Sequence, residues 1–218
     1  MSGFASARLA AAELKFCSGL EATETARVPE PDADAARPAY LAHVVFQTNR
    51  IAEMCAWWRR LLAAKPMFSS DAIEFITFDD EHHRIAILRR DTVEEKTKGA
   101  AQAGVHHIAF SYASLGDLVA TYKRLKREDV LPVRTIHHGI SVSNYYLDPD
   151  GNRVELQVDA FRDKAALNQW LAGRPFNDNP IGVLFDFEEL VGRFEAGAAE
   201  EELLRPLAAR RPQSAEAG

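Results

Sequence analysis

"HVVFQTNRIAEMCAWWRRLLAA" runs from His43 to Ala64, and "HIAFSYASLGDLVATYKRLKRE" runs from His107 to Glu128. A constant offset of 64 places His43 on His107, Phe46 on Phe110, Ile51 on Leu115, Met54 on Leu118, Trp58 on Tyr122 and Leu61 on Leu125. Self-similarity at one register marks a repeated structural unit. Each copy opens as a β-type run and then changes period. Leu115, Leu118, Tyr122 and Leu125 recur at three and four residues, the spacing of one apolar helix face. Ser114 followed by Asp117 has the form of a capping box, and Asn49 is the expected cap in the first copy. Met54, Trp57 and Trp58 read as core positions of that first helix.

A proline follows each helix, Pro66 or Pro132, and then come two or three extended runs. The last two runs repeat at an offset of 69: "TFDDEHHRIAIL" against "YLDPDGNRVELQ", with Asp79 on Asp148, Arg84 on Arg153 and Ile87 on Leu156. "DPDG" is a hairpin turn, proline fixing φ and glycine supplying a positive one. A calcium loop is excluded there, because the glycine comes too early and no glutamate stands at the twelfth position. The unit is therefore β-α-β-β-β, present at about 40–95 and again at about 104–161. These modules make one α+β domain over 39–162, since short amphipathic sheets need each other to bury a face. An arm or linker (1–38) precedes it. A helical tail (163–218) follows, in which Asp186 and Glu189 form another capping pattern; it is expected to pack on the core or on a second subunit.

Composition narrows the function. A net charge of −6 gives no basic face for nucleic acid and no attraction to anionic membranes. No apolar run approaches the roughly 20 residues of a membrane span. The N-terminal stretch lacks the form of a signal peptide and reads as a helix or a loose arm. Cys17 and Cys55 match neither a zinc site nor a disulfide framework, so the expected compartment is the cytoplasm.

"GVHHIAF", from Gly104 to Phe110, sets two imidazoles at the mouth of an apolar run. Imidazole nitrogens placed there need partners. Duplication suggests which partner: equivalent strand starts carry His43 and His107, so the internal symmetry is expected to bring both to one cleft. Glu155 lies among apolar neighbours on the last strand of the second copy, where an ionised carboxylate needs a compensating charge. Its counterpart in the first copy is Ala86. Two histidines and one carboxylate with open positions suit non-haem Fe(II). Alternation along the strand directs His106 to the opposite face from His107.

Paired βαβββ units carrying "HVVF", "HHIAF" and "DPDGNRVELQ" resemble the vicinal-oxygen-chelate superfamily. Within it they are similar to the type I extradiol ring-cleaving dioxygenases, over about residues 40–161. The resemblance implies paired modules forming a half-open barrel around a metal cleft. It implies Fe(II), or Mn(II), held by His43, His107 and Glu155, with a small aromatic diol and dioxygen as substrates. It also implies second-sphere roles for His83 (or His82), for His138 (or His137) and for Tyr145, which stands ten residues before the glutamate. Counting alternation back from Ala86 favours His82, whereas the motif favours His83. The best-known members have four such units and this chain has two. Other readings on the same scaffold are a metal-dependent isomerase or epimerase, a thiol transferase, and a metal-free module that binds aromatic drugs. Ala86 counts against the isomerases, which draw a fourth ligand from the first copy. A homodimer or higher homo-oligomer is expected, since short sheets leave edges to cover.

Overall fold

The computed structural model describes residues 34–94, 103–173 and 179–205. The chain divides into two compact units, residues 1–41 and 42–218. Residues 34–41 of the first contain no helix or strand, and the rest of the expected arm lies outside the described residues. The second unit holds both modules and the tail.

The first module is β1 (Val44–Thr48), α1 (Ile51–Leu62), β2 (Lys65–Ser69), β3 (Ile73–Thr77) and β4 (Ile85–Arg89). The second is β5 (Ile108–Tyr112), α2 (Leu115–Lys126), β6 (Arg134–His137), β7 (Ser141–Leu147) and β8 (Arg153–Asp159). Each makes an open sheet, ordered β1-β4-β3-β2 and β5-β8-β7-β6. The first strand lies parallel to the last, a pairing that requires a crossover connection. The registers repeat with the sequence: Val45 opposes Ala86, which opposes Phe75, and Ala109 opposes Glu155, which opposes Tyr145. The paired, half-open α+β arrangement read from the repeat is the one observed.

The helix-side faces of both sheets share one core containing Met54, Trp58, Leu61, Leu118, Tyr122 and Leu125. Met54 and Trp58 are wholly buried, as their spacing predicts, and Trp57 packs at the margin. Trp58 joins the modules: its ring lies 4.7 Å from Phe46 and 6.2 Å from Phe110, and its indole N–H donates to Asp148 at 3.3 Å. Asp148 also organises the "DPDG" turn, accepting from the backbone N–H of Asp150 and Asn152, while Gly151 takes a φ of 76°. Arg50 pairs with Asp150 at 3.1 Å. Arg124 donates to the carbonyls of Arg60 and Leu61 at the end of α1, where free carbonyls favour a cation. The hairpin of one module is thus bolted to the helix of the other.

The caps divide. Ser114 caps α2, its hydroxyl accepting from the Asp117 N–H at 3.1 Å. Asn49 does not cap α1: Arg50 is the N-cap without a side-chain bond, and the Thr48 hydroxyl accepts from the Arg50 N–H at 3.0 Å. Threonine, one residue earlier and buried, is nearer to that orphan donor.

The tail packs on the core of its own chain. It contains α3 (Lys164–Leu171), β9 (Val183–Leu184), α4 (Phe187–Glu195) and α5 (Glu200–Leu203). Asp186 caps α4, accepting from Glu188 N–H at 2.8 Å. Phe187, Leu190 and Val191 enter the core, and Glu188 accepts from the Tyr122 hydroxyl. The expectation of a purely helical tail is corrected by β9, which adds a fifth strand beside β6. A two-residue strand has no readable alternation; only the β6 edge makes it one. No described helix is long and apolar enough to cross a membrane.

Candidate active site

Register assembles the second module's site. Glu155 lies mid-strand on β8, between Ala109 on one side and Tyr145 on the other, so their side chains share a face. His107 enters that face from two residues before Ala109. Glu155 is 4% exposed, yet its oxygens meet imidazoles: His107 Nε2 at 3.0 Å and His138 Nε2 at 3.8 Å. The His138 Nε2 to Tyr145 hydroxyl distance is 2.9 Å, and the His107 and Tyr145 rings stand edge to face at 5.6 Å. Burial holds His138 below the ordinary 6.5 of histidine, partly opposed by Glu155. Burial, and then the Glu155 charge, push the Tyr145 phenol above its usual range. The result is a neutral imidazole and a neutral phenol beside a buried carboxylate.

Geometry separates His138 from His137. His137 opposes Val142 on the other face of the sheet, where its Nδ1 accepts from Gly139 N–H and burial lowers its pKa. His138, next along, faces Glu155.

In the first module the equivalent positions are apolar. Ala86 stands where Glu155 does, and Phe75 where Tyr145 does. His43 is exposed and lies 4.4 Å, ring to ring, from His83. His83 in turn stacks on Phe75 at 4.3 Å, nearly parallel. His82 is farther from His43, at 6.3 Å, and exposed. β4 begins only at Ile85, so alternation counted back from Ala86 does not orient His82 or His83. Burial, then His43, lower the His83 pKa.

The structure thus joins His107, Glu155, His138 and Tyr145, and separately joins His43 and His83. It does not gather His43 with His107 and Glu155: among the described residues no three His, Cys, Asp or Glu side chains form a group able to hold one ion. Position 86 is alanine, and the His43 ring lies beside that of His83. Imidazole and carboxylate donors fit a ferrous ion chemically. His106 corrects a second expectation. It does not turn to the opposite face; its Nδ1 lies 2.7 Å from His107 Nδ1, and its Nε2 meets the Arg153 guanidinium. β5 starts at Ile108, so strand alternation does not govern residue 106.

Residues 40–156 match the Glyoxalase/Bleomycin resistance protein/Dioxygenase superfamily. The chain belongs to that superfamily. Two curated relatives come from Rhodococcus globerulus. Biphenyl-2,3-diol 1,2-dioxygenase 2 is 43% identical over 66% of this chain and 76% of its own length. Biphenyl-2,3-diol 1,2-dioxygenase 3 is 36% identical over 75% and 86% respectively. Among solved structures, a glyoxylase/bleomycin resistance protein/dioxygenase domain from Frankia sp. EAN1pec overlaps 56% of this chain and 99% of its own, at 18% identity and a TM-score of 0.47. The superfamily's duplicated unit accounts for the repeat. The chain groups with the dioxygenases among its members, and its one carboxylate at the two repeat-related positions comes from the second module alone.

Sequence reasoning missed the segment Asn179–Leu184, which lies against His137 and His138. Its asparagine, proline and glycine mark a turn, but nothing in the pattern ties that turn to β6.

Proposed function

We propose that the chain cleaves the ring of a catechol-type aromatic diol beside its hydroxyl-bearing carbons, with dioxygen as co-substrate. The observation that supports this most directly is the convergence of His107, His138 and Tyr145 on buried Glu155, in a chain related to dioxygenases of a biphenyl diol. His43, His107 and Glu155 would hold Fe(II), or Mn(II). When bound, the ion eases loss of the phenolic protons and places diol and dioxygen side by side.

The remaining chemistry belongs to side chains. His138, kept neutral by burial, is ready to take a phenolic proton at Nε2 and to return it as the ring opens. Tyr145, neutral and hydrogen-bonded to that nitrogen, offers its proton to oxyanions that develop nearby. His83, also kept neutral, is the corresponding proton carrier on the first module's side. Phe75 and Val45 give that side an apolar wall for an aromatic ring. Residues 39–162 form the catalytic unit in this reading. The chain assembles as a homodimer or higher homo-oligomer, for which the exposed β2 edge with Met67 and Phe68 provides a surface. A reducing cytoplasm suits both the ferrous ion and the free, buried Cys55.

Anaerobic loading with Fe(II), followed by oxygen-uptake assays on a catechol panel including 2,3-dihydroxybiphenyl, tests the proposal. Oxygen consumption with a yellow ring-opened product is expected. Iron-loaded protein that consumes no oxygen with any catechol refutes the reaction. Failure to retain iron or manganese refutes the ligand assignment and favours a metal-free aromatic-binding module.

A further inference from the structure

Register sets a row of residues across one face of each sheet. In the first module the row runs Val45, Ala86, Phe75, Phe68. In the second it runs Ala109, Glu155, Tyr145, Arg134. Residues paired directly across strands project from the same face, so Arg134 stands on the face that carries Glu155. His138, four residues further along the chain, is on that face as well, 3.8 Å from Glu155. Neighbouring strands lie about 4.8 Å apart, which places Arg134 one strand beyond Tyr145 and roughly 10 Å, backbone to backbone, from Glu155. A guanidinium on a long, flexible stem shortens that gap. The cation thus stands outside the group formed by His107, His138, Tyr145 and Glu155, at the range of a substituent on a ring held there.

Arg134 is half-buried, and a charge on such a wall costs desolvation that an apolar side chain does not. The first module has phenylalanine at the end of its row, so the frame itself does not require a cation there. The chain as a whole carries a net charge of −6, so long-range attraction does not draw anions to it. Selection of an anionic ligand needs a local positive group. Arg134 takes part in a local interaction. Its planar fork has five N–H donors, so one edge is tethered while another accepts a carboxylate.

We propose that Arg134 is a specificity-determining residue that binds a carboxylate substituent on the aromatic diol. The substrate class is then a catechol bearing an acidic side chain, the diol lying toward Glu155 and the acid toward β6. The proposal rests on the diol reading given above.

The test uses the full chain and three variants, Arg134→Gln, Arg134→Met and Arg134→Lys. The probes are dihydroxybenzoate and its homologues with one or two methylenes before the carboxylate. Each is paired with its methyl ester, which keeps the diol and removes the charge. Anaerobic titration calorimetry, with Fe(II) and without metal, reads binding in the absence of turnover. Wild type should bind at least one acid about 10- to 100-fold more tightly than its ester, the range for hydrogen bonds to a charged group. Added salt should shrink that preference. Arg134→Gln and Arg134→Met should abolish it, and Arg134→Lys, which keeps the charge without the fork, should keep part. In turnover the acid-to-ester ratio of kcat/KM should fall in parallel. Equal binding of acid and ester by wild type overturns the proposal. So does an equal loss for acid and ester in the variants, which would make Arg134 a counter-charge for Glu155. If Arg134→Gln fails to fold, Arg134→Met decides. If wild type consumes no oxygen with any catechol, the ring-cleavage reading fails, and the binding ratios alone decide this proposal.

Discussion

The two modules have one frame and different equipment. In each, a parallel first-and-last strand pair presents one residue from β1 or β5 opposite one from β4 or β8, with a third across on β3 or β7. The first module fills that row with Val45, Ala86 and Phe75; the second fills it with Ala109, Glu155 and Tyr145. Their edges differ as well. All five residues of β2 are exposed, whereas β6 is covered by β9. Duplication supplies a scaffold that places equivalent positions equivalently, and chemistry needs side chains at only one of them. The copy holding the carboxylate is also the copy that the tail braces.

The largest effect expected from breaking this asymmetry follows removal of its one acid. Glu155→Ala should lower iron retention by more than about 100-fold, beyond what loss of an outer partner costs, and ring cleavage should fall with it. Metal content after gel filtration reads this directly; normal retention rejects the ligand role. Next is the pair across the strand. Tyr145→Phe should reduce kcat about 100-fold, within the range for a lost proton-transfer partner, while Phe75→Tyr changes kcat little. Steady-state kinetics compare the two, and equal losses would mean the modules contribute alike.

Trp58 tests the join between modules. Trp58→Ala should cost about 3–5 kcal/mol, the range for a buried aromatic truncation, and chemical denaturation measures it. A smaller effect comes from pH. Burial holds His137 below its ordinary 6.5, so the folded state binds fewer protons than the unfolded chain. Its contribution is present above the unfolded value and is lost as pH falls through 6.5 toward the depressed folded value. Wild type should therefore lose Tm faster than His137→Gln between pH 7.5 and pH 5, about neutral and mildly acidic conditions flanking the histidine range. Parallel slopes would contradict this. The smallest contrast is in the caps: Ser114→Ala should cost about 1 kcal/mol and Asn49→Ala close to none, as paired denaturation curves would show.

Much of this was legible before any coordinates. Helix faces, the Ser114 cap, the DPDG hairpin and the buried Trp58 follow from local periodicity and turn chemistry, and the offset of 69 aligned Ala86 with Glu155. Legibility stopped where a strand stopped. His82, His83 and His106 lie just before β4 or β5, outside the pleat in which side chains alternate. Asn49 does not take its expected role because the helix starts one residue later, with Arg50 as an N-cap that makes no side-chain bond.

By itself the sequence determined that two copies of one βαβββ unit exist, and that an acid stands on one copy only. Those properties are carried by residue identity and spacing along the chain. Tertiary structure decided which imidazoles meet that acid, that His43 rests on His83, and that Gly182 lies against the backbone of His137 and His138. These are contacts between segments distant in sequence, and they depend on how ring and backbone groups find hydrogen-bond partners once the sheets have closed on their helices.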